Sequence, residues 1–197
     1  LPLSIRRQRQ MCIRDRPGAG KSTIGRRLSR ALGLDLVDSD ELIEQRWGGM
    51  TCGRIYDHLG EEQFRLVEED VIADALTTGG IVALGGGAIV SPVTRRRLVG
   101  HEVVFLEVSA EEGYRRTRGS LTRPVLQSED PEQRYRDLDE QRRPLYEEVA
   151  TLRIRSDRRG PQKVVASILN YLETSESRGS MIPDTADESA VAVEEFL

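Results

Sequence analysis

The chain contains the sequence Pro17-Gly18-Ala19-Gly20-Lys21-Ser22-Thr23, which matches the second half of a phosphate-binding loop that opens a helix. In the full pattern G-x-x-x-x-G-K-[ST], backbone N–H groups and a helix N-terminus surround a phosphate, and the lysine reaches the terminal phosphates. Gly20, Lys21 and Ser22 fit, but Asp15 stands where the first glycine belongs. The stretch predicts a nucleotide site with an altered start, although a Gly-Lys-Ser sequence before a helix is also an ordinary helix start.

The residues before this stretch do not resemble the buried parallel strand that normally leads into such a loop. Residues 1–16 contain five arginines and one acid, and only Met11 to Ile13 form an apolar run. Burying an unpaired arginine costs several kcal/mol. We therefore expect residues 1–16 to be an anomalous basic segment, foreign to the fold, that has replaced the first strand. A divergent but working N-terminus is the alternative.

Downstream of the loop, short apolar runs alternate with stretches of helical periodicity. The runs predict strands over 34–37, 81–84, 103–108 and 151–155. Helices are predicted between them, including two that meet at Gly60 and a long one over 131–149. This alternation predicts an α/β fold, a three-layer α/β/α sandwich with a parallel sheet.

Length and composition suit a single folded domain. The chain has 197 residues, of which 38% are hydrophobic, enough for an independent core. We place the domain at residues 17–172. Residues 173–197 are rich in Ser, Glu and Asp, so we expect a disordered acidic tail there.

The overall charge argues against a nucleic-acid partner. The net charge is -4 and the pI is about 5.4, whereas nucleic-acid binders need a basic footprint. A binder that uses the arginine-rich N-terminus is a remote alternative, because the remainder of the chain is acidic. Cys12 and Cys52 have no disulfide or metal spacing, and nothing is apolar enough to cross a membrane. We expect a cytoplasmic monomer with no membrane partner.

Polar and glycine-rich motifs follow two of the predicted strands. Asp38-Ser39-Asp40 follows the strand at 34–37, and Gly85-Gly86-Gly87 follows the strand at 81–84. Ligands bind at the carboxyl ends of parallel strands, and three glycines allow a ligand to approach the backbone closely. The purely structural alternative for the first motif is a helix cap by Asp40 or Ser39. For the second motif it is a simple tight turn.

Three arginines on separate elements suggest what accepts the phosphate. Arg65, Arg123 and Arg142 have planar guanidinium groups that suit bidentate binding of a carboxylate or phosphate. The polar, basic loop at about 116–130 suits a mobile lid over phosphates, although a plain surface loop is the alternative. Arg65 alone would be a solvated helix charge. Together they favour a small hydroxylated carboxylic acid as acceptor.

In these motifs the chain resembles shikimate kinase, from about Pro17 to Leu172. The matching stretches are the phosphate loop, Asp38-Ser39-Asp40, Phe64-Arg65, Gly85-Gly86-Gly87, Arg123-Pro124 and Arg142-Arg143-Pro144-Leu145-Tyr146. The resemblance implies the reaction ATP + shikimate → shikimate 3-phosphate + ADP, with Mg²⁺, in aromatic amino-acid biosynthesis. It also implies a P-loop fold like that of the nucleoside-monophosphate kinases, with a lid.

The resemblance further implies the nucleotide-binding residues. Lys21 would contact the β- and γ-phosphates, Ser22 would hold Mg²⁺ directly, and Asp38 would help through water. The residues implied to bind ATP are Gly18, Ala19, Gly20, Lys21, Ser22, Thr23, Arg116, Arg123, Arg159 and Pro161. Of these, Arg116, Arg159 and Pro161 would form the adenine pocket.

The implied acceptor site has an acid and an arginine pair. Asp40 would bind the acceptor hydroxyl and take its proton, and Arg65 and Arg142 would clamp the carboxylate of shikimate. The backbone of Gly86 and Gly87 would approach the substrate. Arg123 would span ATP and substrate at the transition state, so the implied catalytic residues are Asp40, Lys21 and Arg123.

Two alternatives stay open. Another small-molecule P-loop kinase, such as a gluconate kinase, would share the architecture, but the arginine clamp and triple glycine weigh against it. A nucleotide-binding homologue with impaired catalysis would result if Asp15 disables the loop.

Overall fold

The computed structural model describes residues 11–15, 18–117, 130–157 and 159–179. The strands in these residues are β1 (Met11–Asp15), β2 (Leu36–Asp38), β3 (Ile81–Ala83), β4 (Glu102–Glu107) and β5 (Leu152–Arg155). The helices are α1 (Lys21–Leu32), α2 (Ser39–Arg46), α3 (Cys52–Ala75), α4 (Pro92–Arg97), α5 (Ala110–Thr117), α6 (Pro131–Val149) and α7 (Pro161–Gly179), with a 3₁₀ turn at Ala88–Val90.

The strands form one parallel sheet in the order β2-β3-β1-β4-β5. Side chains alternate between two faces. Met11 and Ile13 pack with residues of α1 and α7 on one face. Cys12 packs with residues of α3 and α6 on the other. The predicted three-layer sandwich with a parallel sheet is confirmed.

Residues 11–15 form the central strand, which corrects the expectation that all of residues 1–16 lie outside the fold. β1 pairs with β3 through Met11–Ile13 and with β4 along its whole length. Cys12 and Ile13 are fully buried, and Met11 is 5% exposed. The short apolar run is sufficient because the polar residues 14 and 15 lie at the carboxyl end of the strand. The foreign origin of residues 1–16 stays a prediction.

Helix breaks and caps agree with the sequence signals. Gly60 has φ of 76° and ψ of 169° and interrupts α3 where two helices were expected to meet. Ser91 caps α4, since its hydroxyl accepts hydrogen bonds from the backbone N–H groups of Val93 and Thr94. A small cluster that includes Ile43 and Phe64 packs α2 against α3. This cluster fixes the helix that carries Arg65.

Two predicted segments meet the limits of the described chain. Residues 173–179 continue α7, although composition predicts a disordered tail from 173. The hydroxyls of Thr174 and Ser175 donate to the carbonyls of Asn170 and Leu172, so these polar side chains are compatible with helix. Residues 180–197 and most of the predicted lid, 118–129, lie outside the described residues. Within the described ranges, no helix has the length and hydropathy to span a bilayer.

Candidate active site

The phosphate loop joins β1 to α1 through two glycines in left-handed conformations. Gly18 has φ of 89° and Gly20 has φ of 99°, values that favour glycine. A Cβ at Gly18 would lie 2.8 Å from the carbonyl oxygen of Gly113 in α5, so only glycine allows this packing. Gly20 caps α1, which begins at Lys21. The loop therefore leads into a helix N-terminus suited to a phosphate.

Lys21 connects the phosphate loop to the ends of two other strands. Its Nζ lies 3.2 Å from Asp38 Oδ2 and 3.8 Å from Asp40 Oδ2. It also donates to the carbonyl oxygen of Leu84, at 3.1 Å. The structure thus brings three of the predicted site residues together at the carboxyl edge of the sheet. Ser22 and Thr23 lie in the first turn of α1 and are exposed.

The two acids after β2 have different surroundings. Asp38 caps α2, because its Oδ1 accepts a hydrogen bond of 3.0 Å from the N–H of Asp40, and its side chain is only 14% exposed. The alternative in which Asp40 or Ser39 is the cap is therefore wrong. The Asp40 side chain is 46% exposed. Asp40 can meet a ligand while it stays within ion-pair distance of Lys21.

The strip Gly85–Gly87 lies between this acid and the arginines. The N–H of Gly85 donates to the buried Ser39 hydroxyl at 2.9 Å, and a Cβ at Gly85 would clash with Asp40 Oδ1. A Cβ at Gly87 would clash with the guanidinium of Arg65. The first and last glycines thus let the Asp40 and Arg65 side chains lie directly against the backbone of the strip. A Cβ at Gly86 would meet nothing within 4 Å, so space is open beside it.

Arg65 is a fixed cation beside the strip. Its side chain is 15% exposed and forms a 2.6 Å ion pair with the buried Glu68 and a 3.5 Å pair with Glu61. Its guanidinium carbon also lies 5.6 Å from the centre of the Phe64 ring. Arg65 is therefore not the solvated helix charge that its position in the sequence alone suggests. Arg65 Nε is buried and has no hydrogen-bond partner among the described residues.

Arg142 and Tyr146, one turn apart on α6, reach the same backbone atom. Arg142 NH1 donates to the carbonyl oxygen of Gly86 at 3.3 Å, and the Tyr146 hydroxyl donates to it at 3.2 Å. The Tyr146 ring stacks on Phe105 with centroids 4.7 Å apart. The two arginines predicted to clamp a carboxylate therefore both contact the glycine strip.

Arg116 contacts the other end of the phosphate loop. Its NH1 donates to the carbonyl oxygen of Gly18 at 3.2 Å, and its Nε donates to Glu112 at 2.6 Å. Hydrogen bonds from Arg115 and Arg116 hold the pKa of Glu112 at about 2, so this carboxylate stays ionised at neutral pH. The i,i+4 pair keeps Arg116 against the loop.

The other predicted nucleotide residues are less closely joined. Arg159 donates to Ser167 on α7 at 3.5 Å, and Pro161 begins that helix. Arg123 lies outside the described residues. The adenine pocket and the spanning arginine therefore stay predictions.

Cys52 lies against the backbone of the acid motif. Its thiol donates to the carbonyl oxygen of Asp40 at 3.4 Å, and its N–H donates to Glu44 at 2.9 Å. Burial, followed by the charges of Asp40 and Glu44, raises the pKa of the Cys52 thiol far above its ordinary value. Cys52 is therefore a neutral packing residue at physiological pH.

Comparison with known proteins decides the family. A family model described as shikimate kinase matches residues 17–173. The chain belongs to the shikimate kinase family. Shikimate kinases from Corynebacterium efficiens and Corynebacterium glutamicum are 58% and 55% identical to it over 157 residues, 80% of this chain and 92% of each relative.

Solved structures agree with this membership. The shikimate kinase from Acinetobacter baumannii, in complex with shikimate, is 34% identical, with a TM-score of 0.82 over 88% of this chain and 97% of that one. A gluconokinase from Sinorhizobium meliloti has a TM-score of 0.59 at 18% identity, over 89% and 97% of the two chains. The second likeness shows a shared fold alone. The chain therefore has the P-loop fold of a shikimate kinase, a phosphotransferase.

Three residues that support this shikimate kinase site were not predicted as site residues: Ser39, which was considered only as a helix cap, Glu68, and Tyr146, which was quoted only within a matching stretch. Glu68 was detectable, because it lies four residues after Phe64 on the apolar face of α3. A carboxylate on a buried face needs a partner. The hydrogen bonds between Ser39 and Gly85 and between Tyr146 and Gly86 join residues 46 and 60 positions apart, so no local sequence pattern predicts them.

Proposed function

We propose that this chain transfers the terminal phosphoryl group of ATP to the 3-hydroxyl group of shikimate, giving shikimate 3-phosphate and ADP. The arrangement that carries the proposal is the glycine strip with an acid at one end and an arginine at the other. Asp40 packs against Gly85, and Arg65 packs against Gly87. A small acid with a hydroxyl on one side and a carboxylate on the other fits this spacing.

In the proposed reaction, Asp40 accepts the proton of the 3-hydroxyl group of shikimate. The oxygen of that hydroxyl group bonds to the γ-phosphorus of ATP, and ADP leaves. Asp40 has the side-chain exposure that this contact requires, and Lys21 lies 3.8 Å away. Lys21 shifts from its carboxylate partners towards the β- and γ-phosphates. A cation there stabilises charge on the transferring group.

The carboxylate of shikimate is bound by Arg65 and Arg142. Both guanidiniums contact the strip, and Arg65 Nε is a buried donor that a ligand oxygen would satisfy. Charge-assisted hydrogen bonds from arginine to carboxylate are among the strongest in proteins. The backbone of Gly86 and Gly87 lies against the acceptor.

Mg²⁺ fits the residues at the mouth of the loop. The Ser22 hydroxyl would hold Mg²⁺ directly and the Asp38 carboxylate would hold it through water, since oxygen is the ligand atom that Mg²⁺ prefers. The ion neutralises charge on the nucleotide phosphates. Asp38 is the more buried acid and also contacts Lys21, so its carboxylate is already oriented towards the loop.

The remaining nucleotide contacts complete the proposal. The N–H groups of the phosphate loop, 18–23, surround the phosphates, and Arg116 with Arg159 and Pro161 encloses the adenine. Arg123, which lies outside the described residues, is the residue that we propose bridges ATP and shikimate. We also infer that the chain acts as a cytoplasmic monomer without nucleic-acid or membrane partners. Light scattering on the purified protein would test whether it is a monomer.

The experiment that tests this proposal is identification of the product. The protein is incubated with ATP and shikimate, with and without Mg²⁺, and the product is examined by ³¹P NMR. We expect one phosphomonoester resonance coupled to the proton at C3, which disappears when Mg²⁺ is chelated. Phosphorylation at another hydroxyl, or turnover unaffected by chelation, would contradict the proposal.

A further inference from the structure

We propose that Tyr146 is a positioning residue of the acceptor site, whose hydroxyl fixes the glycine strip independently of Arg142. The inference rests on the proposed function, because the strip is taken to lie against shikimate. In this proposal Tyr146 does not contact either substrate. It acts through the carbonyl group of Gly86, to which its hydroxyl donates at 3.2 Å.

Among the described side chains, Arg142 and Tyr146 both donate to the Gly86 carbonyl, and they have different roles. Arg142 NH1 lies 3.3 Å from it and is also the cation proposed to bind the acceptor carboxylate. A guanidinium binds a carboxylate more strongly than a neutral carbonyl, so acceptor binding draws Arg142 from Gly86. The Tyr146 hydroxyl remains as a donor to this oxygen in both states.

The Tyr146 side chain is built as a rigid support. It is 2% exposed, and its ring lies parallel to the ring of Phe105, with an interplanar angle of 11°. Phe105 is in β4 and is itself buried. The hydroxyl therefore has a fixed position relative to the sheet. A phenylalanine ring would pack in the same way, so what the Tyr146 hydroxyl adds is the hydrogen bond to Gly86.

The strip is also held at its first residue, Gly85. The N–H of Gly85 donates to the Ser39 hydroxyl, and Ser39 lies between the two acids. Because glycines have large backbone freedom, these two side-chain bonds help to fix where the strip lies relative to Asp40, together with the backbone bonds that Ala88 and Val90 donate to Gly85 and Gly87. Tyr146 contributes the bond nearest the open space beside Gly86.

The test is Tyr146→Phe, which removes the hydroxyl and keeps the ring. We expect the KM for shikimate to rise about 3- to 10-fold, the scale of one neutral hydrogen bond. The KM for ATP should change less than about twofold, since the Tyr146 hydroxyl donates to the glycine strip and not to the phosphate loop. Hydrogen exchange of the peptide 84–88 should become faster in the free variant, although the bulk of the chain exchanges as before.

The matched control is Tyr171→Phe. The Tyr171 hydroxyl donates to Glu102 Oε2 at 3.0 Å, at the first residue of β4 and hence at the opposite edge of the sheet. This variant loses a comparable bond, but both KM values should match those of the wild-type protein. An unchanged shikimate KM in Tyr146→Phe, or equal rises for both substrates, would overturn the inference.

The wild-type protein separates the two possible failures. If it phosphorylates shikimate and Tyr146→Phe behaves identically, the positioning role alone is wrong. If the wild-type protein does not phosphorylate shikimate, the proposed function is wrong and the inference is overturned with it.

Discussion

Asp40 shows how two acids in one short motif acquire different properties. Asp38 is committed to its helix cap and to Lys21, whereas the Asp40 side chain is 46% exposed. The clash that any side chain at Gly85 would make with Asp40 shows how closely the strip approaches this carboxylate. Asp40 is therefore the acid that can reach a hydroxyl group on a ligand.

Replacing Asp40 with asparagine should abolish most turnover. We expect kcat to fall by about 10²- to 10⁴-fold, the scale for removing a positioned base. The KM for ATP should change little, because the phosphate contacts remain. Steady-state kinetics in both substrates would measure this.

A matched control for this change is Asp35→Asn. Asp35 precedes β2, at the opposite end of the strand from Asp40, and is exposed. We expect wild-type kinetics from it. Near-normal kcat in Asp40→Asn would remove Asp40 from the proposed role of base.

At the scale of a secondary-structure element, α3 carries a buried ion pair towards the site. Glu68 is 2% exposed and holds Arg65 at 2.6 Å. The ion pair therefore links the packing of the helix to the direction of the guanidinium. Breaking a buried pair from one side leaves an uncompensated charge.

Glu68→Gln should accordingly affect stability and acceptor binding together. We expect a loss of about 3 kcal/mol in unfolding free energy, at the lower end for buried pairs because glutamine keeps a carbonyl oxygen. The KM for shikimate should rise, since Arg65 is no longer oriented. Denaturant unfolding and kinetics would measure the two effects.

Glu62→Gln is the control on the same helix. Glu62 is exposed, so its neutralisation should leave both quantities near wild type. A Glu68→Gln protein that loses stability but binds shikimate normally would limit Glu68 to a structural part.

At the scale of the whole molecule, the central strand is the least expected feature. β1 pairs on both sides, although the sequence around it is rich in arginine. Asp15, the last residue of β1, stands where a phosphate loop normally begins with glycine. A negative charge there would oppose a polyanion, so we expect the start of the loop to be the weakest part of the proposed nucleotide site.

Asp15→Gly should therefore improve nucleotide binding. We expect the KM for ATP to fall about 5-fold, equivalent to ~1 kcal/mol, the upper end of the range for a single pair of charges at a protein surface. Asp15→Asn separates the charge from the backbone freedom of glycine. An unchanged KM for ATP in both variants would mean that the altered loop start is a working variation.

Most of the fold was predictable because its signals are local. Apolar runs alternate with helical periodicity, Gly60 breaks α3 as expected, and α6 has the predicted bounds. β1 was not predictable, because its place between β3 and β4 depends on pairing with residues about 70 and 90 positions away. A three-residue apolar run is a weak indication of such a strand.

The candidate site divides in the same way. Lys21, Asp38 and Asp40 were predictable because strand ends in a parallel sheet converge on one edge. Arg65 and Arg142 were predictable from the chemistry of guanidinium groups, but the supports that orient them were not. Tyr146 belongs to a stretch that matches the family, but its sequence position does not predict its partner, and only the fold brings its hydroxyl to Gly86.

The central claim is that the glycine strip, Asp40 and the two arginines make this phosphate loop a kinase for shikimate. The most direct test measures ADP release from Mg²⁺ and ATP with shikimate, with gluconate and with no acceptor. We predict saturable release with shikimate and only background release in the other two cases. Equal release with gluconate, or background release with all three, would contradict the account.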